Sequence, residues 1–208
     1  LAIQKRFQLI FHTLGDASSA WVLKTLATKY KPKDIFDRRF RFEHLEVINP
    51  QTIKEMKEWG FIASVQPWHA VSDSLWLEKR LGQERLSQVS PIQSMINSGL
   101  RVCSGSDAPI EPHDPLMGLS AATLRRDPFS RSSLPWMIGQ KVSVRDAVSM
   151  YTIEGAYAEF SDHVKGTLEC GMLADFCVLS EDIFDMHPKY FIEVENLMTV
   201  IGGKVVYD

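Results

Sequence analysis

The 208-residue sequence lacks the features that mark several classes of protein. Its three cysteines, Cys103, Cys170 and Cys177, are odd in number and have no C-x-x-C spacing, so they indicate neither a disulfide framework nor a cysteine metal site. No apolar run approaches the roughly 18 residues that span a bilayer. No basic cluster is present that would suit nucleic acid or an anionic membrane. We therefore expect a cytoplasmic protein with free thiols that binds neither nucleic acid nor membrane.

What remains is the composition of an ordinary globular domain. Hydrophobic residues make up 45% of the sequence and charged residues 24%, with a net charge of −3. The length allows one domain, or one domain with a small appendage. The first residue is Leu1 and not Met, and a strand-like segment follows almost at once. We therefore expect the chain to be a piece of a longer protein.

The order of predicted elements indicates an α/β fold. Predicted strands at residues 6–12, 39–46, 61–65 and 100–106 are separated by helical segments, two of which start with a cap residue and a proline and stop at a glycine. This alternation predicts parallel strands with right-handed crossovers, either in a barrel or in a doubly wound sheet.

The texture of the sequence changes after residue 160. Short β-rich runs follow, and the last two are joined by Gly202 and Gly203, which predicts a hairpin. We therefore predict a partial barrel over residues 1–160 and a small β appendage over residues 161–208.

Three polar side chains close predicted strands of the first part. His12 and His44 end the first two strands, and Asp107 follows the fourth. Two imidazoles and a carboxylate suit a divalent cation such as zinc, which lowers the pKa of a bound water to about 7. Asp107 would accept the proton from that water. The alternatives are hydrogen-bonded histidines without a metal, and an Asp107 that forms a turn with its own backbone.

Two further side chains are candidates for contact with a small-molecule substrate. The segment between Asp107 and Ser143 is rich in proline, which predicts a long functional loop, and Arg125 in it could hold a substrate carboxylate. His69 follows the third strand and could also touch substrate. For both residues a place on a solvated surface loop is the competing interpretation.

Several stretches resemble, in order, the signatures of the amidohydrolase superfamily. Residues 12–16, 39–44, 64–67 and 105–109 look like those of the "amidohydrolase 3" branch, which contains N-substituted formamide deformylase. Residues 166–176 and 202–207 resemble the closing β segment of that branch, which returns to a small β-sandwich. The resemblance covers nearly the whole chain.

This resemblance implies a fold, a reaction and a set of site residues. The fold would be half of a TIM (β/α)8 barrel, strands five to eight, with part of a β-sandwich appendage. His12 and His44 would be metal ligands at the ends of strands five and six, and Asp107 would be metal ligand and general base after strand eight. Members of the superfamily hydrolyse amide or other C–N bonds, usually with one or two divalent metals.

The sequence also departs from the pattern of the family. The His-x-His pair of the first strand and the bridging Lys or Glu of the fourth strand are not in this chain. We therefore expect that metal binding is weak or absent and that the chain alone is inactive. We also expect the open sheet edges to be covered by self-association or by the missing amino-terminal half.

Two readings of other classes compete with the hydrolase. One is a non-catalytic binding or regulatory module derived from such a barrel. The other is a phosphate-binding, doubly wound domain, which is the weaker because no glycine-rich fingerprint follows any predicted strand.

Overall fold

The computed structural model describes residues 1–130 and 134–208, and its central feature is a four-stranded parallel sheet. The spatial order of the strands is the same as their order in the chain. The strands are β1 (Ile10–Thr13), β2 (Arg41–His44), β3 (Ile62–Val65) and β4 (Arg101–Ser104). β2 and β3 are therefore the inner strands, and β1 and β4 lie at the edges. The α/β prediction is confirmed.

Helical segments connect the strands. The helices are α1 (Asp16–Ala27), α2 (Pro32–Ile35), α3 (Pro50–Glu58), α4 (His69–Ser72), α5 (Leu77–Leu81), α6 (Ile92–Asn97), α7 (Pro115–Leu124), α8 (Val144–Tyr151) and α9 (Ile153–Ala158). Short 3-10 turns occur at Phe36–Arg38, Asp73–Leu75, Gln83–Gln88, Ile138–Gln140 and Pro188–Glu193. Over residues 1–130 and 134–208, no helix has both the length and the apolar character needed to cross a membrane.

Aromatic rings hold the sheet to its helices. The rings of Phe42 and Phe61 lie 4.6 Å apart, and those of Phe11 and Phe42 lie 5.6 Å apart. Edge-on and tilted pairs of this kind contribute about 0.5–1.5 kcal/mol each beyond their burial. Leu23 of α1 and Met56 of α3 are buried in the same cluster. The inner strands, α1 and α3 therefore share one hydrophobic core.

The first strand differs from the prediction. It begins at Ile10, not near residue 6, and Phe7 and Ile10 are 65% and 52% exposed. The expectation of a buried strand from residue 6 is therefore wrong. The apolar run does form a strand at its end, but the strand is at an edge of the sheet, where one side has no neighbour within the described residues.

The proline-rich segment after β4 is not one long loop. Its second quarter forms α7, because the Asp114 carboxylate accepts a hydrogen bond from the Leu116 N–H at 2.9 Å and Pro115 occupies the first turn. The prediction of one long loop rested on the number of prolines in the segment, whereas a proline after a capping residue can start a helix. Most of α7 is buried.

The carboxyl-terminal region contains an antiparallel sheet. Its strands are β5 (Phe176–Leu179), β6 (Asn196–Ile201) and β7 (Lys204–Tyr207), and the predicted hairpin joins β6 and β7. Ile183, Phe191 and Val194 lie in the same buried cluster as Phe42 of β2. The division at residue 160 stays a prediction, and the hydrophobic core extends across it.

Two glycines that end helices offer a matched test of this packing. Gly60 follows α3 and Gly99 follows α6, with φ of 71° and 78°. A Cβ at Gly60 would lie 2.4 Å from the backbone oxygen of Phe36, whereas a Cβ at Gly99 would meet only the flexible end of Lys57. We expect Gly99→Ala to cost about 1–2 kcal/mol of unfolding free energy, because a side chain disfavours the left-handed backbone. Gly60→Ala should cost about 1–3 kcal/mol more, because the chain around Phe36 must also shift. Urea denaturation measures both losses, and equal losses would contradict the packing described at Gly60.

Candidate functional site

Two histidines meet at the carboxyl edge of the parallel sheet. β1 and β2 pair in parallel with Thr13 opposite His44, so His12 and His44 lie at the same edge. The Nε2 atom of His44 lies 3.0 Å from Nδ1 of His12, with the ring centroids 4.5 Å apart. Two imidazole nitrogens bound to one zinc ion at about 2.0–2.1 Å each lie roughly 3.3 Å apart in tetrahedral geometry. The separation of these two nitrogens is therefore close to that of two ligands of a single cation.

The backbone at the end of β2 aims the His44 ring. In a regular strand His44 would share a face with Phe40 and Phe42, as the alternation of the sequence predicts. The φ angles of His44 and Leu45 are instead 76° and 54°, in the left-handed region. Such angles cost on the order of 1–3 kcal/mol each and persist where the surroundings hold them. The alternation breaks here, and the His44 ring contacts His12.

Gln66 determines which nitrogen of His44 is free. The Gln66 side-chain oxygen lies 3.0 Å from His44 Nδ1, and Gln66 itself is 8% exposed. An amide oxygen only accepts, so Nδ1 of His44 carries the proton and donates it to Gln66. The Nε2 atom that faces His12 is then an unprotonated nitrogen. Ligating histidines in metal sites are commonly oriented by a hydrogen bond of this kind.

A second group of polar side chains lies beside His44. The His69 ring stacks on that of His44, with the centroids 5.8 Å apart and the planes 8° from parallel. Its Nδ1 lies 3.3 Å from the Glu46 carboxylate. The hydrogen bond with Glu46 raises the pKa of His69 above its usual value, and burial opposes this with a smaller effect. Glu46 favours the charged form of the imidazole.

Two further carboxylates act on this group. Burial and, to a smaller extent, the negative charge of Glu46 raise the pKa of Asp73 to about 6. Glu111, from the segment after β4, accepts a hydrogen bond from the Ser72 hydroxyl at 2.7 Å and also contributes to the electrostatic field at His69. Negative charge is therefore concentrated around one buried imidazole.

Asp107 lies apart from the histidine pair. It is exposed, has a φ of 57°, and comes three residues after the end of β4. β1 and β4 are the two edge strands of the sheet, so His12 and Asp107 belong to its opposite edges. Among residues 1–130 and 134–208, no contact joins Asp107 to His12 or His44. Its role as ligand and base stays a prediction.

Arg125 is buried and makes contacts within the fold. It is 1% exposed and ends α7 with a φ of 57°. Its guanidinium donates to the carbonyl oxygens of Trp136 at 3.3 Å and Ser90 at 3.4 Å, and burial lowers its pKa to about 10. The interpretation of Arg125 as a residue of a solvated surface loop is wrong, because α7 carries it into the interior. Contact of Arg125 or His69 with substrate stays a prediction.

The sequence predicts no role for Glu46 or Gln66. Glu46 comes two residues after His44, and Gln66 comes directly after β3. The available signal was their position, since polar side chains that follow parallel strands gather at one edge of the sheet.

Comparisons with known proteins identify the family to which the chain is similar. The family model described as "Amidohydrolase family" matches residues 1–207. The Bacillus subtilis (strain 168) protein YtcJ is 31% identical over 207 residues, and N-substituted formamide deformylase of Arthrobacter pascens is 25% identical over 205 residues. The crystal structure of a metal-dependent hydrolase from Pyrococcus furiosus superposes with a TM-score of 0.65 at 25% identity, covering 79% of this chain and 31% of that one.

The match extends over a minor part of these relatives. It includes 100% of this chain but 39% of YtcJ, and 96% of this chain but 36% of the deformylase. The chain therefore spans less than half the length of the curated relatives that it resembles.

The pair of Glu46 and His69 gives a measurable pH dependence. A Glu46→Gln substitution removes the carboxylate, so we expect the pKa of His69 in an NMR titration to fall, because burial then acts with less opposition. Glu111→Gln is the matched control: it removes a neighbouring charge but no hydrogen bond to His69, so its effect should be smaller.

The sign of the effect on stability follows from the same shift. The raised pKa of His69 stabilises the folded state. This contribution is complete at a pH below the pKa of about 6.5 that the residue has in the unfolded chain, and it is lost as the pH rises through the pKa in the folded chain. The loss of stability caused by Glu46→Gln should therefore be larger below about pH 6 than above pH 8. An unchanged His69 pKa in the variant would contradict the described pair.

Proposed function

Since the chain belongs to the amidohydrolase family, we propose that it is the carboxyl-terminal part of a metal-dependent hydrolase that cleaves amide or other C–N bonds of a small molecule. The observation that carries this proposal is the 3.0 Å approach of His44 Nε2 to His12 Nδ1. Both nitrogens lie at the carboxyl edge of a parallel sheet, where α/β enzymes place their reactive groups.

We propose further that the parallel sheet is one half of a (β/α)8 barrel. Its strand order, β1-β2-β3-β4, follows the chain without reversal. A doubly wound sheet has a switch point at which the order reverses, so the uninterrupted order supports the barrel. Ile10 on the edge strand β1 is 52% exposed, which suits an edge that further strands of the whole protein cover.

The donor set fits a divalent metal, and zinc suits it well. Zinc favours imidazole nitrogen, and a carboxylate such as that of Asp107 would add an oxygen ligand. His12 and His44 would hold the ion, and the hydrogen bond from His44 to Gln66 keeps the ligating nitrogen unprotonated. A bound ion of this kind polarises a carbonyl group and lowers the pKa of water to about 7.

The other residues of the edge have proposed roles in binding and proton transfer. Asp107 is exposed and ionisable, and in this proposal it accepts a proton from the attacking water and returns it to the leaving nitrogen. The His69 ring stacks on that of His44, and in this proposal His69 orients the substrate. Arg125 reaches Ser90, whose N–H donates to the carbonyl oxygen of Glu46, so its effect on substrate passes through that segment.

The chain alone is expected to turn over little substrate. Two imidazoles and one distant carboxylate make at most part of a ligand shell, and structural zinc sites are normally four-coordinate. A binding or regulatory module is the second candidate function. The exposed edge of β1 favours it, because an uncovered strand edge pairs readily with another chain.

Zinc binding to the whole chain tests the proposed function. Because two imidazole nitrogens already face each other, we expect the 208-residue chain to bind zinc weakly in isothermal titration calorimetry. His44→Asn should weaken that binding at least tenfold, because one of the two facing nitrogens is lost. His163→Asn, a substitution in the carboxyl-terminal region, is the matched control and should bind like the unaltered chain.

The same variants separate the two candidate functions. In the full-length protein, His44→Asn should abolish amide hydrolysis while circular dichroism shows an intact fold. Normal hydrolysis by that variant would contradict the hydrolase proposal. A stable dimer of the chain in solution with no bound zinc would support the binding module instead.

A further inference from the structure

We propose that His44, Glu46 and His69 form a second position for a divalent transition-metal cation, beside the pair of His12 and His44. Each of the three residues offers one ligand atom, and these atoms all lie within 4.8 Å of one another. Two imidazole nitrogens and one carboxylate oxygen form a donor set that suits zinc, cobalt or nickel. This second position shares only His44 with the proposed site at the strand ends, which consists of His12, His44 and Asp107. Glu46 and His69 are its other two ligands.

The fold brings these ligands together from two adjacent loops. His44 and Glu46 flank Leu45 in the left-handed turn after β2, and Leu45 is 1% exposed, so the turn is anchored in the core. His69 begins α4, four residues after the end of β3. Because β2 and β3 are the inner strands of the sheet, the three ligands are placed by the best-supported part of the structure.

The contact between His69 and Glu46 has the length expected of two ligands of one ion. Their Nδ1 and Oε1 atoms are 3.3 Å apart. A charge-assisted hydrogen bond between such groups is normally about 2.7–2.9 Å long. Zinc bonds of about 2.0–2.2 Å to nitrogen and oxygen place the two ligand atoms roughly 3.3–3.5 Å apart in tetrahedral geometry.

An unpartnered nitrogen supplies a second, independent observation. His69 is 8% exposed, and its Nε2 atom is buried without a hydrogen-bond partner. Buried polar atoms in folded proteins nearly always have a partner, so an orphaned imidazole nitrogen indicates an interaction that a ligand completes. A half-turn of the ring about the Cβ–Cγ bond exchanges Nδ1 with Cδ2 and Nε2 with Cε1, so it brings Nε2 to the side of the ring that faces Glu46.

The charge around the position also favours a cation. The carboxylates of Glu46, Asp73 and Glu111 all act on His69. In the part of the chain that the structure describes, no lysine or arginine lies within 4.0 Å of these carboxylates. A divalent cation would supply the positive charge that the neighbouring side chains do not.

The experiment uses the whole chain with zinc or cobalt alone and asks which side chains bind the ion. His12→Asn removes the strand-end pair and keeps the three proposed ligands, so this variant should still bind one equivalent of Zn²⁺ in calorimetry. Adding Glu46→Gln or His69→Gln to it should weaken binding at least tenfold. Adding Glu46→His to the His12→Asn chain should instead keep the binding, because a histidine supplies a nitrogen ligand in place of the carboxylate.

Two outcomes would overturn this proposal. One is that Glu46→Gln and His69→Gln leave the affinity of the His12→Asn chain unchanged. The other is that this chain, shown to be folded by circular dichroism, binds no Zn²⁺. Loss of binding on His12→Asn in an otherwise folded chain would leave the proposed function standing and remove only the second position.

A measurement on the unaltered chain is independent of how the variants fold. Added Zn²⁺ should shift the ring ¹⁵N resonances of both His44 and His69 in NMR spectra, and Co²⁺ should broaden them. Shifts at His12 and His44 with none at His69 would contradict the second position. Shifts at His69 that disappear in Glu46→Gln would support it.

Discussion

The left-handed turn at His44 and Leu45 is the constraint on which the geometry of the site depends. Without it the His44 ring would follow Phe40 and Phe42 into the packed face of the sheet. The left-handed backbone of the turn costs free energy, and burial and hydrogen bonds of Leu45 offset this cost. Leu45 is buried, and its N–H donates to the carbonyl oxygens of Thr13 at 2.8 Å and Glu43 at 3.2 Å. Because the turn is bonded to β1, its conformation and the approach of His44 to His12 are fixed together.

The two sides of the site differ in how firmly they are held. His12 is exposed on an edge strand, whereas His44 is partly buried at the end of an inner strand and His69 is buried after another. Side chains supported on one side only have more freedom to move than those enclosed by a core. The region of His44, Glu46 and His69 is therefore the rigid part of the candidate site, and the geometry at His12 depends on what covers β1.

The sequence predicts the elements that local chemistry specifies. Asn49 and Pro50 start α3 as expected, because the Asn49 side chain accepts the N–H of Thr52 at 2.8 Å. The position of His12 and His44 at one edge is also predictable, since the ends of parallel neighbouring strands share that edge. The approach of their rings depends on the left-handed turn. Asp114 and Pro115 start α7 by the same local chemistry, a capping side chain followed by a proline.

What the sequence does not predict is set by contacts distant in the chain. Arg125 is buried because α7 packs against other elements, and no local pattern distinguishes it from a solvated arginine. Gln66 meets His44 across 22 residues, and Glu46 meets His69 across 23. Their roles depend on the direction of side chains beyond the strand ends, which the left-handed turn changes.

His44 is a ligand in both of the proposed cation positions. Its Nε2 faces His12 and its Nδ1 donates to Gln66, so both ring nitrogens already have a partner. A cation bound by Glu46 and His69 would have to take one of these nitrogens from its partner, either by competing for Nε2 or by breaking the bond to Gln66. Occupation of one proposed position would therefore weaken the other, and linkage would make the effect equal in both directions.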